Sequence, residues 1–173
     1  YSPLPVTDRM LDRVSGNGFY SFLDGFSGYN QVHIRLQDQL FTTFITDWGT
    51  YAFNRMPFGL CNAPGTFQRL VMDIFWDFLK HFLEVFIDDF AVFSDQGGHL
   101  GFLRQTFQRC RETGLKLHPG KCFIGVERGV LLGHVVSNKG LEVNIDKVKA
   151  ILTLTPPKTV KEVRGFLGYI GYN

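Results

Sequence analysis

The segment Leu83-Glu84-Val85-Phe86-Ile87-Asp88-Asp89-Phe90-Ala91-Val92-Phe93-Ser94 is apolar almost throughout, yet two aspartates interrupt it side by side. Short apolar, β-branched and aromatic runs form buried strands. The aspartates split this run into two, which predicts two strands joined by a tight turn. Asp is disfavoured in strands, ionised neighbours repel, and an unpaired buried carboxylate costs several kcal/mol. A bound cation offsets that cost. Mg²⁺ suits the position, because it prefers oxygen ligands and is commonly held by one or two carboxylates plus substrate phosphates. A solvated Asp-Asp turn is the plain alternative.

Upstream, Phe19 to Asp24 (Phe-Tyr-Ser-Phe-Leu-Asp) predicts another buried strand that ends in a carboxylate, with Gly25, Ser27 and Gly28 breaking it. Successive side chains of a strand point to opposite faces, so a turn at the aspartate pair lets Asp88 face the end of a neighbouring strand. Asp24 supplies such an end. Carboxylates from two strands can hold two metal ions roughly 3.5–4 Å apart, the spacing used for in-line phosphoryl transfer.

Asn62-Ala63-Pro64 opens a helix, with Asn62 or its neighbour as cap and Pro64 in the first turn. Phe67, Leu70, Val71, Ile74, Phe75, Phe78, Leu79 and Phe82 keep the i, i+3, i+4, i+7 spacing, which carries the expected helix to about Phe82 with this face in the core. A second helix is expected over His99 to Thr113, with Leu100, Leu103, Phe107 and Cys110 inward and Gly114 as its stop. Phe41 to Phe53, turning at Asp47-Trp48-Gly49-Thr50, predicts a β-hairpin. Short strands are expected near Leu115–Leu117, Cys122–Val126 and Val130–Val136. Ile145, Val148, Ile151 and Leu152 predict a helix stopped by Pro156-Pro157. Thr159 and Glu162 form a capping-box pattern, followed by a helix with Val163, Phe166, Leu167 and Ile170 on its inner face.

The 173 residues are 45% hydrophobic with 18 Phe and a mean hydropathy near zero, enough for a core and too apolar for disorder. No stretch reaches the roughly 18 apolar residues of a membrane span; Phe75 to Ile87 comes nearest, and Asp77, Lys80, His81 and Glu84 break it. No membrane partner is expected. Three cysteines without a CxxC point to a reducing compartment, and a zinc site from Cys110, Cys122 and His134 lacks a close ligand pair. The chain opens on Tyr1 with no leader pattern, and a piece of a longer polypeptide is expected. The net charge of +2 hides an asymmetry: residues 1–97 hold 6 Lys/Arg against 11 Asp/Glu, and residues 98–173 hold 12 against 5. An acidic half joined to a basic half suits metals on one side and a polyanion on the other, although a lopsided solvated surface gives the same count.

Six blocks then stand in order: Phe22-Leu23-Asp24-Gly25-Phe26-Ser27-Gly28-Tyr29-Asn30-Gln31; Arg55-Met56-Pro57-Phe58-Gly59-Leu60-Cys61-Asn62-Ala63-Pro64 with Thr66-Phe67-Gln68; Phe86-Ile87-Asp88-Asp89; Gly114-Leu115-Lys116-Leu117 with Lys121-Cys122; Leu132-Gly133-His134-Val135-Val136-Ser137; and Pro156-Pro157-Lys158-Thr159-Val160-Lys161-Glu162-Val163-Arg164-Gly165-Phe166-Leu167-Gly168. In order and spacing they resemble the reverse transcriptase domain of gypsy-type long-terminal-repeat retrotransposon polyproteins.

The resemblance implies an α+β fold, the ferredoxin-like palm of a right-hand polymerase with partial fingers and the helical start of a thumb. Residues 1–137 would be fingers and palm, with the fingers hairpin at about 37–60, and residues 138–173 a truncated start of the thumb. It implies an RNA-directed DNA polymerase that extends a primer 3′ end by two-metal phosphoryl transfer. Asp24, Asp88 and Asp89 would be the catalytic metal ligands, for two Mg²⁺ ions or for Mn²⁺. Tyr29 would sit under the sugar and exclude a 2′-hydroxyl. Pro57, Phe58 and Gly59 would line the nucleotide pocket, and Leu132, Gly133 and His134 would position the primer end. Lys121, Lys139, Lys147 and Lys149 are candidates for phosphate contacts. The implied partners are an RNA or DNA template with its primer, deoxynucleoside triphosphates, and the RNase H and integrase regions of the same polyprotein. The implied location is intracellular, in a cytoplasmic virus-like particle, with the element encoded in the nuclear genome.

The sequence departs from the family pattern at Phe86, where Tyr is frequent, at Phe41, where a charged residue is usual, and at Gly65, where Ala is usual. The basic upstream fingers and the rest of the thumb are expected outside these residues. Two alternatives stay open: an inactive remnant that only folds or binds nucleic acid, and an RNA-directed RNA polymerase on the same palm, against which Tyr29 speaks.

Overall fold

The computed structural model describes residues 5–95, 97–143 and 145–170. The chain enters through helix α1 (Thr7–Val14), whose Met10, Leu11 and Val14 are buried. Sequence periodicity gave no expectation here, because two turns are too few for a pattern to stand out. Strand β1 (Phe19–Asp24) follows, then a short hairpin of β2 (Phe44–Thr46) and β3 (Gly49–Tyr51). The hairpin is shorter than expected, since Leu36–Thr42 is a 3₁₀ helix.

Helix α2 (Ala63–Ile74) begins at Asn62 with Pro64 in its first turn, although the Asn62 side chain makes no capping bond. The helix does not run to Phe82. Arg109 donates to the carbonyl of Ile74, the last helical residue. The chain then tightens into turns, with Lys80 at φ 68. The apolar spacing misleads because those turns still send Phe75, Phe78 and Phe82 into the same core.

β4 (Leu83–Phe86) and β5 (Asp89–Ser94) pair antiparallel around the aspartate turn. Helix α3 (His99–Thr113) stops at Gly114, whose φ of 73 suits the left-handed cap. Its inward face differs from the expected one: His99, Leu103, Thr106 and Cys110 are buried, while Leu100 and Phe107 are exposed. The expected strand at Leu115–Leu117 is a single bridge from Leu117 to Gly25. β6 (Phe123–Val126) completes the main sheet. The expected strand over Val130–Val136 is instead a hairpin, β7 (Arg128–Leu131) and β8 (His134–Ser137), with β9 (Gly140–Glu142) beside it. Helices α4 (Ile145–Thr153) and α5 (Val160–Ile170) close the described chain. Val163 and Leu167 of α5 are exposed, so that expected inner face is open, and the Lys147 and Ile170 side chains lie outside the described residues.

The order β1-α2-β4-β5-α3-β6 is a βαββαβ unit, and the sheet order β4-β5-β1-β6, antiparallel throughout, is ferredoxin-like. Both faces of this sheet are covered, which explains why its strands read as unbroken apolar runs rather than alternating ones. Leu23, Phe90 and Val92 pack with Phe67, Val71, Phe75, Leu103 and Cys110 from α2 and α3. Tyr20, Phe22, Ala91 and Phe93 pack on the other face with Leu11 and Val14 of α1 and with Leu131 and Val136. Each large side chain buried this way contributes about 1.5–3 kcal/mol. The aspartates sit at the end of this two-sided sheet.

Candidate active site

The register of β1 on β5 sets Asp24 opposite Asp89. Asp88 occupies the turn between Phe86 and Asp89, and Gly25 N–H donates to its carbonyl at 2.8 Å. Two strand carboxylates, Asp24 and Asp89, and the turn carboxylate Asp88 therefore gather at one end of the sheet, as the sequence spacing predicts.

Their electrostatics are unfavourable without a counter-charge. Asp88 Oδ1 is buried and has no hydrogen-bond partner. Burial first, then Asp24, then Asp89 push the Asp88 carboxyl from 3.8 up to about 6, against a lowering by Lys121. Asp89 is exposed as a residue, yet its carboxyl is also raised, by desolvation and then by Asp24. Lys121 Nζ stands 3.4 Å from Asp24 Oδ2, but the lysine is mostly exposed and such pairs are weak.

Among the described residues, no group of three or more His, Cys, Asp or Glu forms a ready metal cage. The zinc site at Cys110, Cys122 and His134 is thus not formed, and burial pushes the Cys110 thiol up to about 11. The aspartates nevertheless fit a divalent cation that takes further ligands from substrate phosphates. An orphaned buried oxygen and mutual repulsion are what such an ion relieves.

The surrounding loops are tied to this end of the sheet. His118 N–H donates to Asp24 O at 2.8 Å, and Phe26 N–H to Lys116 O at 2.9 Å. The Gln31 amide bridges the same two segments, donating to Phe26 O and Lys116 O and accepting from Lys116 N–H. Tyr29 lies on the 3₁₀ turn Gly28–Gln31, with its ring centroid 4.9 Å from that of Phe58 and 5.8 Å from that of Phe67. Burial, then the Asp88 charge, raise its hydroxyl. Pro57 and Gly59 flank Phe58 in the loop after the His33–Arg55 bridge.

Leu132, Gly133 and His134 belong to a separate sheet, β7-β8-β9. Leu132 (φ 50) and Gly133 (φ 83) form the β7–β8 turn, and His134 opens β8. No hydrogen bond or ring contact joins them to the aspartates among the described residues. A residue without an expected role does join the site: Gln68, buried on α2, contacts the backbone on either side of Phe86. The available signal was an amide set on the apolar face between Phe67 and Val71.

The family model "Reverse transcriptase (RNA-dependent DNA polymerase)" matches residues 2–170. The chain belongs to the reverse transcriptase family. It is 35% identical over 171 residues to the retrovirus-related Pol polyprotein from transposon 297 of Drosophila melanogaster, and 31% identical to that from transposon gypsy of the same organism. Each alignment takes in 98% of this chain and 16% of the relative, so the chain spans about a sixth of those polyproteins. Among solved structures, the foamy viral protease–reverse transcriptase dRH in complex with double-stranded DNA superposes with a TM-score of 0.91 over 99% of this chain and 30% of that one, at 22% identity. The palm fold of a reverse transcriptase is therefore shared well beyond sequence similarity. Enzymes of this family work with divalent metal ions.

Proposed function

We propose that this chain is the palm, with part of the fingers and the start of the thumb, of an RNA-directed DNA polymerase from a gypsy-type retrotransposon. The observation that carries this is Asp88: a carboxylate with a buried, partnerless oxygen, pushed toward neutrality and facing Asp24 and Asp89. A fold that holds three carboxylates against their own repulsion is suited to cations.

Asp24 and Asp88 would hold two divalent ions, Mg²⁺ with Mn²⁺ as a substitute, and Asp89 is the third carboxylate. Bound there, the ions would supply activation of the primer 3′-hydroxyl and neutralisation of the departing pyrophosphate. The chain's own residues position the reactants. Tyr29, braced by Phe58 and Phe67, presents its bulk where a 2′-hydroxyl would lie, so deoxynucleotides are selected. Pro57, Phe58 and Gly59 line that pocket. Leu132, Gly133 and His134 steady the primer end from the second sheet.

Residues up to 137 form the fingers and palm, and residues from 138 begin the thumb. Template and primer are held by backbone and groove shape, since base pairing chooses the nucleotide. The remaining partners are the RNase H and integrase regions of the longer polyprotein, and the place of action is a cytoplasmic virus-like particle.

The test is primer extension on an RNA template with Mg²⁺, using the complete polymerase that carries these residues, beside an Asp88→Asn copy. Extension that disappears in the Asn copy supports the proposal. Folded protein that binds primer–template and extends nothing points to an inactive remnant.

A further inference from the structure

Gln68 is an amide buried to 2% exposure in the apolar interior, on helix α2 between Phe67 and Val71. Both ends of its side chain go to one hairpin. Nε2 donates to Val85 O at 3.0 Å, and Oε1 accepts from Ile87 N–H at 2.6 Å. Val85 belongs to β4, and Ile87 is the first residue of the two-residue loop that carries Asp88.

Ile87 has a φ of 52. Hairpin loops with positive φ at this position favour Gly, and a β-branched residue there is a steric outlier. Ile87 has no intrinsic freedom to adopt this conformation, so contacts from outside must hold it. Gly25 N–H grips the loop at Asp88 O on the β1 side. Gln68 grips it from α2. Packing alone does not call for an amide here, because the neighbouring inward residues Phe67 and Val71 are apolar. The turn's backbone groups do call for one, since buried N–H and C=O groups need partners.

We propose that Gln68 is a positioning residue for the catalytic carboxylates: its amide fixes the Ile87-Asp88 loop and so aims Asp88 at Asp24. This rests on the polymerase reading of the same site. Without the amide, Asp88 is still present but samples several directions. Metal affinity and the rate of nucleotide addition then fall, while the grip on primer–template, made elsewhere, does not.

The test uses the complete polymerase carrying this chain. Gln68→Met keeps the length and loses both hydrogen bonds. Gln68→Asn keeps the amide one methylene short, and provides the same readings if the Met variant does not fold. Val71→Ala loosens the α2 core without touching the loop. Three quantities are read: hydrogen exchange of the Ile87 amide without metal, the Mg²⁺ concentration for half-maximal single-nucleotide incorporation, and the Kd for primer–template. In Gln68→Met, exchange at Ile87 should rise about tenfold or more, the Mg²⁺ midpoint about fivefold, and the rate at saturating nucleotide should fall about tenfold or more, as misplacement of a reacting group predicts. The Kd should stay within about twofold, because phosphate contacts elsewhere supply it. Val71→Ala should lower Tm and leave the midpoint in place. A wild-type midpoint and wild-type Ile87 exchange in Gln68→Met, with wild-type enzyme extending primer, overturn the positioning role alone. An equal shift of the midpoint in Val71→Ala overturns it too. Wild-type enzyme that extends no primer overturns the polymerase reading, and the positioning role with it.

Discussion

Gly28 lies directly against Asp88: a Cβ built on Gly28 falls 1.8 Å from Asp88 Oδ1 and 2.9 Å from its carboxyl carbon. Phe67 Cε1 is 3.0 Å away on another side, so the methyl has nowhere to go. The missing side chain at Gly28 is what lets the carboxylate occupy its place. Gly28→Ala must therefore displace Asp88. Overpacking of this kind costs about 1–3 kcal/mol of stability, and misplacing a reacting group by an ångström costs about 10²-fold in rate. Nucleotide incorporation and thermal melting of the variant check both. Incorporation within about threefold of wild type would mean that the close approach has no bearing on catalysis.

The raised Asp88 carboxyl makes metal-free stability depend on pH in an unusual direction. In the unfolded chain the group ionises near 3.8, and in the folded chain near 6. As pH rises between those values the unfolded state sheds its proton first, so folding loses stability through this window. Solvent reaches part of the carboxyl and screens the effect, so its contribution to stability is on the order of 1–2 kcal/mol. Asp89, also raised, acts in the same sense. Asp77, Glu142 and Glu162 are lowered by their partners and act in the opposite sense at lower pH. Urea unfolding in EDTA at pH 4, 5, 6 and 7 should show Asp88→Asn gaining stability relative to wild type as pH rises through 6. Mg²⁺ at pH 7 should narrow the gap. A difference that stays flat across pH would show that Asp88 is not held at a cost.

Tyr29 is braced by two phenylalanine rings and lies near enough to Asp88 for that charge to raise its hydroxyl, after burial. On the proposed reading, shortening Tyr29 to Val removes the ring that would exclude a 2′-hydroxyl. Discrimination by one small group is worth about 10–200-fold, so Tyr29→Val should raise ribonucleotide incorporation relative to deoxynucleotide by at least about tenfold. Single-nucleotide incorporation with paired deoxy and ribo substrates measures the ratio. An unchanged ratio would remove Tyr29 from sugar selection and reopen the RNA polymerase alternative.

The sheet and its three carboxylates were legible in the sequence because two-sided burial writes strands as apolar runs, and any charge inside such a run stands out. Asp24, Asp88 and Asp89 were visible for that reason. The end of α2 was not, because Phe75, Phe78 and Phe82 stay buried after the helix has stopped. Their spacing reports burial rather than helix. Arg109 covers that end: it donates to Ile74 O, pairs with both oxygens of Asp77 and stacks over Phe78 at 4.4 Å. It lies on another helix and leaves no local signal. Gln68 escaped for a similar reason: its partners are backbone groups 17 and 19 residues away. Leu100 and Phe107 share the apolar stripe of α3 with Leu103, yet the sheet takes the flank centred on Thr106 and Cys110.

Arg13 and Glu84 join α1 to the back of β4, and Glu84 is 5% exposed within an otherwise apolar strand. A carboxylate buried that deeply depends on its partner, because breaking a buried pair leaves an uncompensated charge. Arg13 is exposed at the surface, so part of the penalty is relieved by water entering from its side. Arg13→Met should cost about 2 kcal/mol, less than the loss expected for a fully buried pair. Glu84→Leu placed on top of it should restore most of that, since an apolar pair of similar volume is often neutral or stabilising. Urea unfolding of the two single variants and the double variant closes the cycle. If Arg13→Met unfolds within about 0.5 kcal/mol of wild type, the scale of an ordinary surface substitution, the pair does not anchor α1. The helix would then be held chiefly by the burial of Met10, Leu11 and Val14.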